Sequence, residues 1–317
     1  YLGLGLFKFA LSQVPSSFKW ALNMIGFDAN RDKGLLYLET AAEKGFRSKV
    51  EAEYYLSQIY ADFIFDFDKA SKLLNSLNQR FPENILFQYS AAVLLIKQRN
   101  LDQATLLLKR ILKNKDNSFR QIFAFSNFLL GDINFRKNKF SEAVDYYSLF
   151  INSKTPPDYK GIAAYRQALS LYFIDGKEKS KQSFRLTEKG NSSIDDDSYA
   201  ERKGEEYLKF DITTNTAKMI RYYNYFHDNK LQLAADSLSL LLSADLTPEE
   251  NAEVNLYLAE ISVAQGDFEK AYSFASTTIN SRIKNENWLY PFACYYAAYS
   301  KFKQGDSIKA SELLEKA

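Results

Sequence analysis

The feature that most constrains this chain is a small residue that returns on a schedule. Ala70, Ala104, Ala143, Ser180, Ala234, Ala271 and Ala310 stand 34, 39, 37, 54, 37 and 39 residues apart. Around each the same grammar recurs: an apolar–small pair, a short polar break, an aromatic or apolar residue, then the small residue. The clearest copies read Leu130-Gly131 … Asn138-Lys139-Phe140-Ser141-Glu142-Ala143 and Leu258-Ala259 … Gly266-Asp267-Phe268-Glu269-Lys270-Ala271. Others centre on Tyr55-Leu56 … Ala70, Ala91-Ala92 … Ala104 and Ala297-Ala298 … Ala310, with weaker ones ending at Ser180 and Ala234. A small residue on a first helix lets a second helix approach closely, and the small residue on the second receives the next pair. The Gly-Asp or Asn break reverses the chain, Gly or Asn supplying left-handed backbone. No such unit buries its apolar stripe alone, so neighbours must stack.

The period resembles that of the tetratricopeptide repeat, about 34 residues. Apolar spacing near 3.6 predicts helices over 30–45, 48–64, 67–79, 84–98, 101–114, 118–137, 140–152, 158–174 and 177–188. They resume over 195–208, 214–228, 230–243, 248–265, 267–281, 287–304 and 306–317. Thr247-Pro248-Glu249-Glu250 is a strong helix start, with Thr as cap and Pro at the first helical position. The long 54-residue step needs an extra element, read as a loop, then one inserted helix opened by Asp195–Asp197. Those three acids suit a helix N-terminus; a cation-binding loop would need a Gly and a distal Glu that are absent. The expected fold is an all-α, tetratricopeptide-like solenoid of about seven antiparallel helix pairs. Its expected parts are N-terminal capping helices (1–46), four hairpins (47–189), the inserted loop and helix (190–212) and three hairpins (213–317).

Composition narrows the function classes. The 317 residues are 46% hydrophobic and 25% charged, a globular balance. One cysteine, Cys294, and one histidine, His227, exclude a disulfide framework and a Cys/His zinc site. Gly (12) and Pro (6) are too scarce for a sandwich of many tight turns. No apolar run reaches the roughly 20 residues a bilayer requires. The most apolar stretch, 1–27, is broken by Lys8, Gln13, Pro15 and Lys19 and lacks the leader charge and cleavage site of a signal peptide. The chain opens on Tyr1, so its numbering is expected to begin inside a longer protein, and compartment stays open.

The N-terminal segment is not a repeat. It runs Gly3-x-Gly5-x-Phe7, Leu11-Ser12, Pro15, Leu22, Gly26-Phe27, Asn30-Arg31-Asp32-x-Gly34-Leu35 and Leu38. It resembles the opening signature of the inclusion-body-clearance protein family and its animal tetratricopeptide-repeat relatives. Arg202-Lys203 on the inserted helix and the aromatic run 222–226 extend the resemblance. Gly204, where the family tends to have Ala, and the linker Asp28-Ala29-Asn30 depart from it. The resemblance implies a helical-repeat scaffold, one branch being associated with clearing inclusions at lipid-droplet or mitochondrial surfaces. It implies no catalytic residue. The glycines are read as a tight helix crossing rather than a phosphate loop, since no strand precedes and no Gly-Lys-Ser/Thr follows. Phe18, Trp20, Met24, Ile25 and Phe27 are read as a cap face, with a membrane-surface face as the rival.

The chemistry-bearing residues point away from catalysis. His227 closes a first helix, and its neighbour Asp228 does not share its face. Cys294 falls where the repeat packs a residue. Charge is uneven: residues 97–189 carry net +9 and residues 190–317 net −7. The basic run, including Lys109, Arg110, Lys113, Lys115, Lys177, Lys179, Lys181 and Arg185, is read as a solvated outer face, with an anionic partner as the rival. The repeat register places Tyr89, Lys97, Phe128, Asp132, Arg136, Tyr223, Phe226, Tyr295 and Tyr299 on a concave face. Aromatic and Arg groups there suit a protein or peptide partner. The expectation is a non-enzymatic interaction scaffold with no metal, no cofactor and no nucleic-acid partner, its oligomeric state open. The alternative is an adaptor at a membrane surface using the N-terminal segment and the basic middle.

Overall fold

The computed structural model describes residues 1–15, 17–18, 20, 24, 30–114 and 119–317. Lys19, Leu22, Ile25, Gly26, Phe27, Asp28, Ala29 and Lys115, which entered the sequence reading, lie outside the described residues. The chain divides into two compact units, Tyr1–Ser126 and Asn127–Ala317.

All regular structure among the described residues is helical. The first unit holds α1 (Leu2–Ser12), α2 (Arg31–Lys44), α3 (Lys49–Ile59), α4 (Phe67–Arg80), α5 (Ile85–Lys97) and α6 (Leu101–Leu112), with a π-turn over Tyr60–Ile64 extending α3. Helix α7 (Arg120–Arg136) runs into the second unit. There follow α8 (Phe140–Ile151), α9 (Lys160–Asp175), α10 (Lys177–Arg185), a 3₁₀ turn (Leu186–Lys189) and α11 (Asp195–Lys209). Next come α12 (Thr214–His227), α13 (Leu231–Leu241), α14 (Pro248–Gln265), α15 (Phe268–Ile279), α16 (Leu289–Lys303) and α17 (Ser307–Leu314). The fold is an all-α helical-repeat solenoid: among the described residues there are seven hairpins, with α1–α2 before them and α11 inserted.

The hairpin turns explain the schedule of small residues. Phe65, Arg99, Asn138, Gly176, Asn229, Gly266 and Gly305, one per hairpin, have φ of 60, 59, 56, 83, 58, 79 and 87°. Left-handed backbone there reverses the chain tightly. About five residues on, the second helix presents its small residue. Ala70, Ala104, Ala143, Ser180, Ala234 and Ala271 are 0% exposed and Ala310 is 5% exposed. A larger side chain at these points would hold neighbouring helices apart. Leu38, Leu74, Leu77, Leu108, Leu130 and Leu238 fill the spaces beside them, each contributing about 1.5–3 kcal/mol by burial.

Side-chain caps start the helices. Asn30, Asp66, Asn84, Asn100, Thr213, Asp267 and Asp306 each accept from a backbone N–H in the first turn, worth about 1 kcal/mol apiece. Thr247 and Glu250 form the reciprocal capping box read from the sequence. The glycine signature resolves into a helix crossing, but not with both glycines of α1. A Cβ on Gly5 would sit 2.8 Å from Leu38 Cγ, and one on Gly34 would sit 2.7 Å from the backbone nitrogen of Phe9. Gly3 meets nothing within 4 Å and takes no part.

The inserted helix is tied down by Asp197. This buried carboxylate accepts from the backbone N–H groups of Tyr159, Ile162 and Asn191, each at 2.8 Å. It thus caps α9 while lying in the first turn of α11. The acid run opens a helix as expected, and its third member holds the insertion against the preceding hairpin.

Candidate functional site

The second unit encloses a cavity of about 430 Å³. Its walls come from the C-terminal half of α7, the middle of α9, α11, α12, the first half of α14, and Asn285–Glu286 ahead of α16. Helix α12 reaches it by docking on the α7–α8 turn, where Asn224 Nδ2 donates to Phe135 O and Asn138 Oδ1, both at 2.8 Å. Helix α11 closes the opposite side. Arg202 Nη2 lies 2.8 Å from Glu286 Oε2, and Lys203 Nζ lies 3.3 Å from Glu286 Oε1.

One end of the cavity is a satisfied ion pair. Arg166 Nη1 lies 2.6 Å from both oxygens of Asp132, and Tyr147 Oη donates to Asp132 Oδ1 at 2.7 Å. Burial works against the Arg166 charge, but the Asp132 carboxylate more than restores it, so its pKa stands above the usual guanidinium value. Arg136 adds a longer contact to Asp132 at 3.9 Å.

The other end is rich in tyrosine and carboxylate. Tyr223 and Tyr257 stack with centroids 3.7 Å apart. Tyr165 meets Tyr199 edge-on at 5.8 Å and stacks on Tyr207 at 6.2 Å. Tyr223 donates to Glu260, and Tyr257 Oη donates to Glu253 Oε1 at 2.5 Å. Burial, then the nearby carboxylates, push the Tyr223 and Tyr257 hydroxyls well above their ordinary pKa, so both stay protonated. Burial raises Glu253 to about 7; the Glu286 and Glu250 charges push the same way, against the Tyr257 hydrogen bond and the Lys203 charge. Burial also acts on Glu286, yet Arg202, Lys203 and the Trp288 indole together bring it below the usual carboxylate range.

Of the nine residues expected on a concave face, Tyr89 and Lys97 fall in the first unit and the other seven in the second. Asp132, Arg136 and Tyr223 line the cavity. Phe226 is 1% exposed and Phe128 8% exposed. Both are core: Phe128 packs on Tyr147, Phe150 and Tyr159, and Phe226 lies in the cluster with Met219, Leu238 and Leu258. A repeat register fixes which helix carries a residue but leaves open whether a neighbouring pair covers it. Tyr89 belongs to a groove of the first unit with Tyr54, Leu86 and Phe125, and Lys97 is paired with Asp62. Tyr295 and Tyr299 stack on each other along α16, away from the cavity lining. His227 ends α12 and packs against the rings of Tyr223 and Phe226 at the cavity edge. Cys294 is buried.

Tyr165, Arg166, Tyr199, Lys203, Tyr207, Glu253, Tyr257 and Glu286 line the cavity without having been expected at a site. A signal for part of this set was present. Asp132 and Arg166 are 34 residues apart. Tyr165 and Tyr199 share that spacing, as do Tyr223 and Tyr257, and both pairs touch.

A family model described as Iml2/Tetratricopeptide repeat protein 39 matches residues 1–179. The matched region ends before the Arg202-Lys203 helix and before most of the cavity wall. Among solved structures, a tetratricopeptide repeat protein from Parabacteroides merdae is similar over 77% of this chain and 98% of its own, at 14% identity and a TM-score of 0.40.

Proposed function

The chain belongs to the Iml2/Tetratricopeptide repeat protein 39 family, and from that premise we propose that it is a non-enzymatic scaffold holding a protein or peptide segment in the cavity of its second unit. Helical-repeat proteins of this kind generally bind other proteins on surfaces their stacking leaves free. The observation that carries the site is the 430 Å³ cavity walled by tyrosine, arginine and carboxylate side chains; tyrosine and arginine are among the groups that anchor partner chains in interfaces.

A cavity with converging polar groups and a carboxylate titrating near neutrality is also where an acid–base enzyme begins. Two observations favour binding. The hydrogen-bonded neighbour of Glu253 is a phenol held neutral, not a nucleophile. The Asp132–Arg166 pair is satisfied by its own partners.

The test reverses charge at two partly exposed lining residues, Arg136→Glu with Glu206→Lys, in the full chain. Partners that co-purify with the parent are expected to be lost from the double variant while its melting temperature holds. Retention at parental level overturns the reading.

A second reading, attachment to a membrane surface, rests on the exposure of Phe18, Trp20 and Met24. No helix among the described residues is long and apolar enough to cross a bilayer. Anionic liposomes should then sediment the chain at low salt and less of it at high salt; failure to sediment at low salt dismisses it.

A further inference from the structure

We propose that the cavity is a receptor for a cationic side chain: a lysine or arginine of the partner segment enters between the tyrosines and pairs with Glu253. This deepens the scaffold reading and rests on it.

Charge in the cavity lining is predominantly acidic. Seven of the lining side chains are Asp or Glu and three are Arg or Lys. All three cations are already engaged. Arg166 and Arg136 face Asp132, and Lys203 lies between Glu206, at 2.7 Å, and Glu286, at 3.3 Å. Among the described residues Glu253 makes no ion pair, and its hydrogen bond comes from a neutral phenol. A half-buried carboxylate that opens on the cavity and makes no direct ion pair is a place for an incoming cation.

Aromatic rings surround the Glu253 carboxylate. Tyr199, Tyr223 and Tyr257 line the same space, and the last two are stacked. Aromatic faces attract ammonium and guanidinium groups, Arg most often. They also hold the aliphatic stem of a long side chain. An acidic segment would instead meet Glu253, Glu250 and Glu206.

The titration of Glu253 agrees with this geometry. Glu250 on its own helix, Glu286 from the loop ahead of α16, Tyr165 from α9, and Tyr199, Lys203 and Tyr207 from α11 all face it, with Tyr257 bonded and Tyr223 stacked behind. The shift to about 7 comes first from burial, with the Glu286 and Glu250 charges adding to it. A bound cation would relieve it and drive off the Glu253 proton.

The test uses short glycine–serine peptides carrying two arginines, two lysines, two citrullines or two glutamates. Binding to the full chain is followed by the fluorescence of Trp288, whose indole donates to Glu286 Oε2 at 2.8 Å, in a Trp20→Phe background. The cationic peptides should bind at least about tenfold tighter than the citrulline peptide, and affinity should rise about tenfold between roughly pH 6 and 8 as Glu253 ionises. Glu253→Gln should lower the affinity about tenfold and remove that pH dependence. Glu269→Gln, on the exposed face of α15, should change neither. Equal binding of arginine and citrulline peptides, preference for glutamate, or a flat pH profile in the parent chain overturns the proposal without relying on any variant. If the cationic peptides fail while Arg136→Glu/Glu206→Lys still loses the co-purifying partner, the cationic specificity falls and the scaffold reading stands. If the partner survives that double variant, the scaffold reading falls with it.

Discussion

Tyr257 Oη donates to Glu253 Oε1 from one helical turn along α14. The bond orients the carboxylate but does not hold it at an ordinary pKa, because burial and the Glu286 and Glu250 charges outweigh it. A consequence for stability follows. The folded-state pKa is about 7 against 4.5 for a free glutamate. Between these values the folded chain keeps a proton that the unfolded chain has released. With respect to this group, stability is greatest below the unfolded pKa and falls as pH rises through 7. The upper bound of the loss is about 3 kcal/mol, reduced because the carboxylate opens on the cavity. Glu253→Gln should melt with the parent near pH 5 and above it near pH 8. Parallel melting-temperature curves across that range would contradict the shift.

Asp197 makes a different use of burial. Three backbone N–H groups from two segments converge on it. Asp197→Ala leaves those donors without an acceptor, at a cost of about 3 kcal/mol or more. The loss should be local before it is global. Amide hydrogen exchange at Tyr159, Ile162 and Asn191 should accelerate ahead of that in α14 and α15. Uniform acceleration, or none, would show that the carboxylate does not tie α11 to α9.

How much of this was legible depends on the range of the physics. Hairpins, turns and small residues are set within about forty residues of chain, and the steps from Ala70 to Ala310 displayed them directly. The burial of Cys294 followed from the same register. The cavity did not, because its walls come from five segments brought together by a helix outside the repeat. Where α11 lies depends on Asp197 reaching the amides of Tyr159 and Ile162 and on Arg202 reaching Glu286, contacts with no periodic trace. Phe128 and Phe226 went astray for a related reason. Their register on the first helix was right, but their neighbours bury them.

The α1–α2 crossing offers a paired test. Gly34→Ala would place a Cβ 2.7 Å from the backbone nitrogen of Phe9. Backbone has no rotamer by which to yield, so α1 must shift, at about 1–3 kcal/mol. Gly3→Ala, in open space on α1, should be neutral or stabilising by up to about 1 kcal/mol. Chemical denaturation of both variants checks the contrast. Equal effects would mean that the crossing does not require its glycines.

The turns supply the last test, because Phe65 and Arg99 stand where the other five hairpins place Gly or Asn. Phe65 adopts φ 60° and ψ 28° and is 67% exposed, so its side chain gains little from packing while its backbone carries left-handed strain of about 1–2 kcal/mol. Gly266 and Gly305 occupy the corresponding place in later hairpins without that strain. Phe65→Gly should therefore stabilise the chain by about 0.5–1 kcal/mol. Gly266→Ala should destabilise it by about 1 kcal/mol, and purely through the backbone, since a Cβ there meets nothing within 4 Å. Opposite signs from the two substitutions in denaturant unfolding are the expected result. A loss of stability in Phe65→Gly would mean that its ring, though exposed, contributes a contact worth more than the strain it imposes.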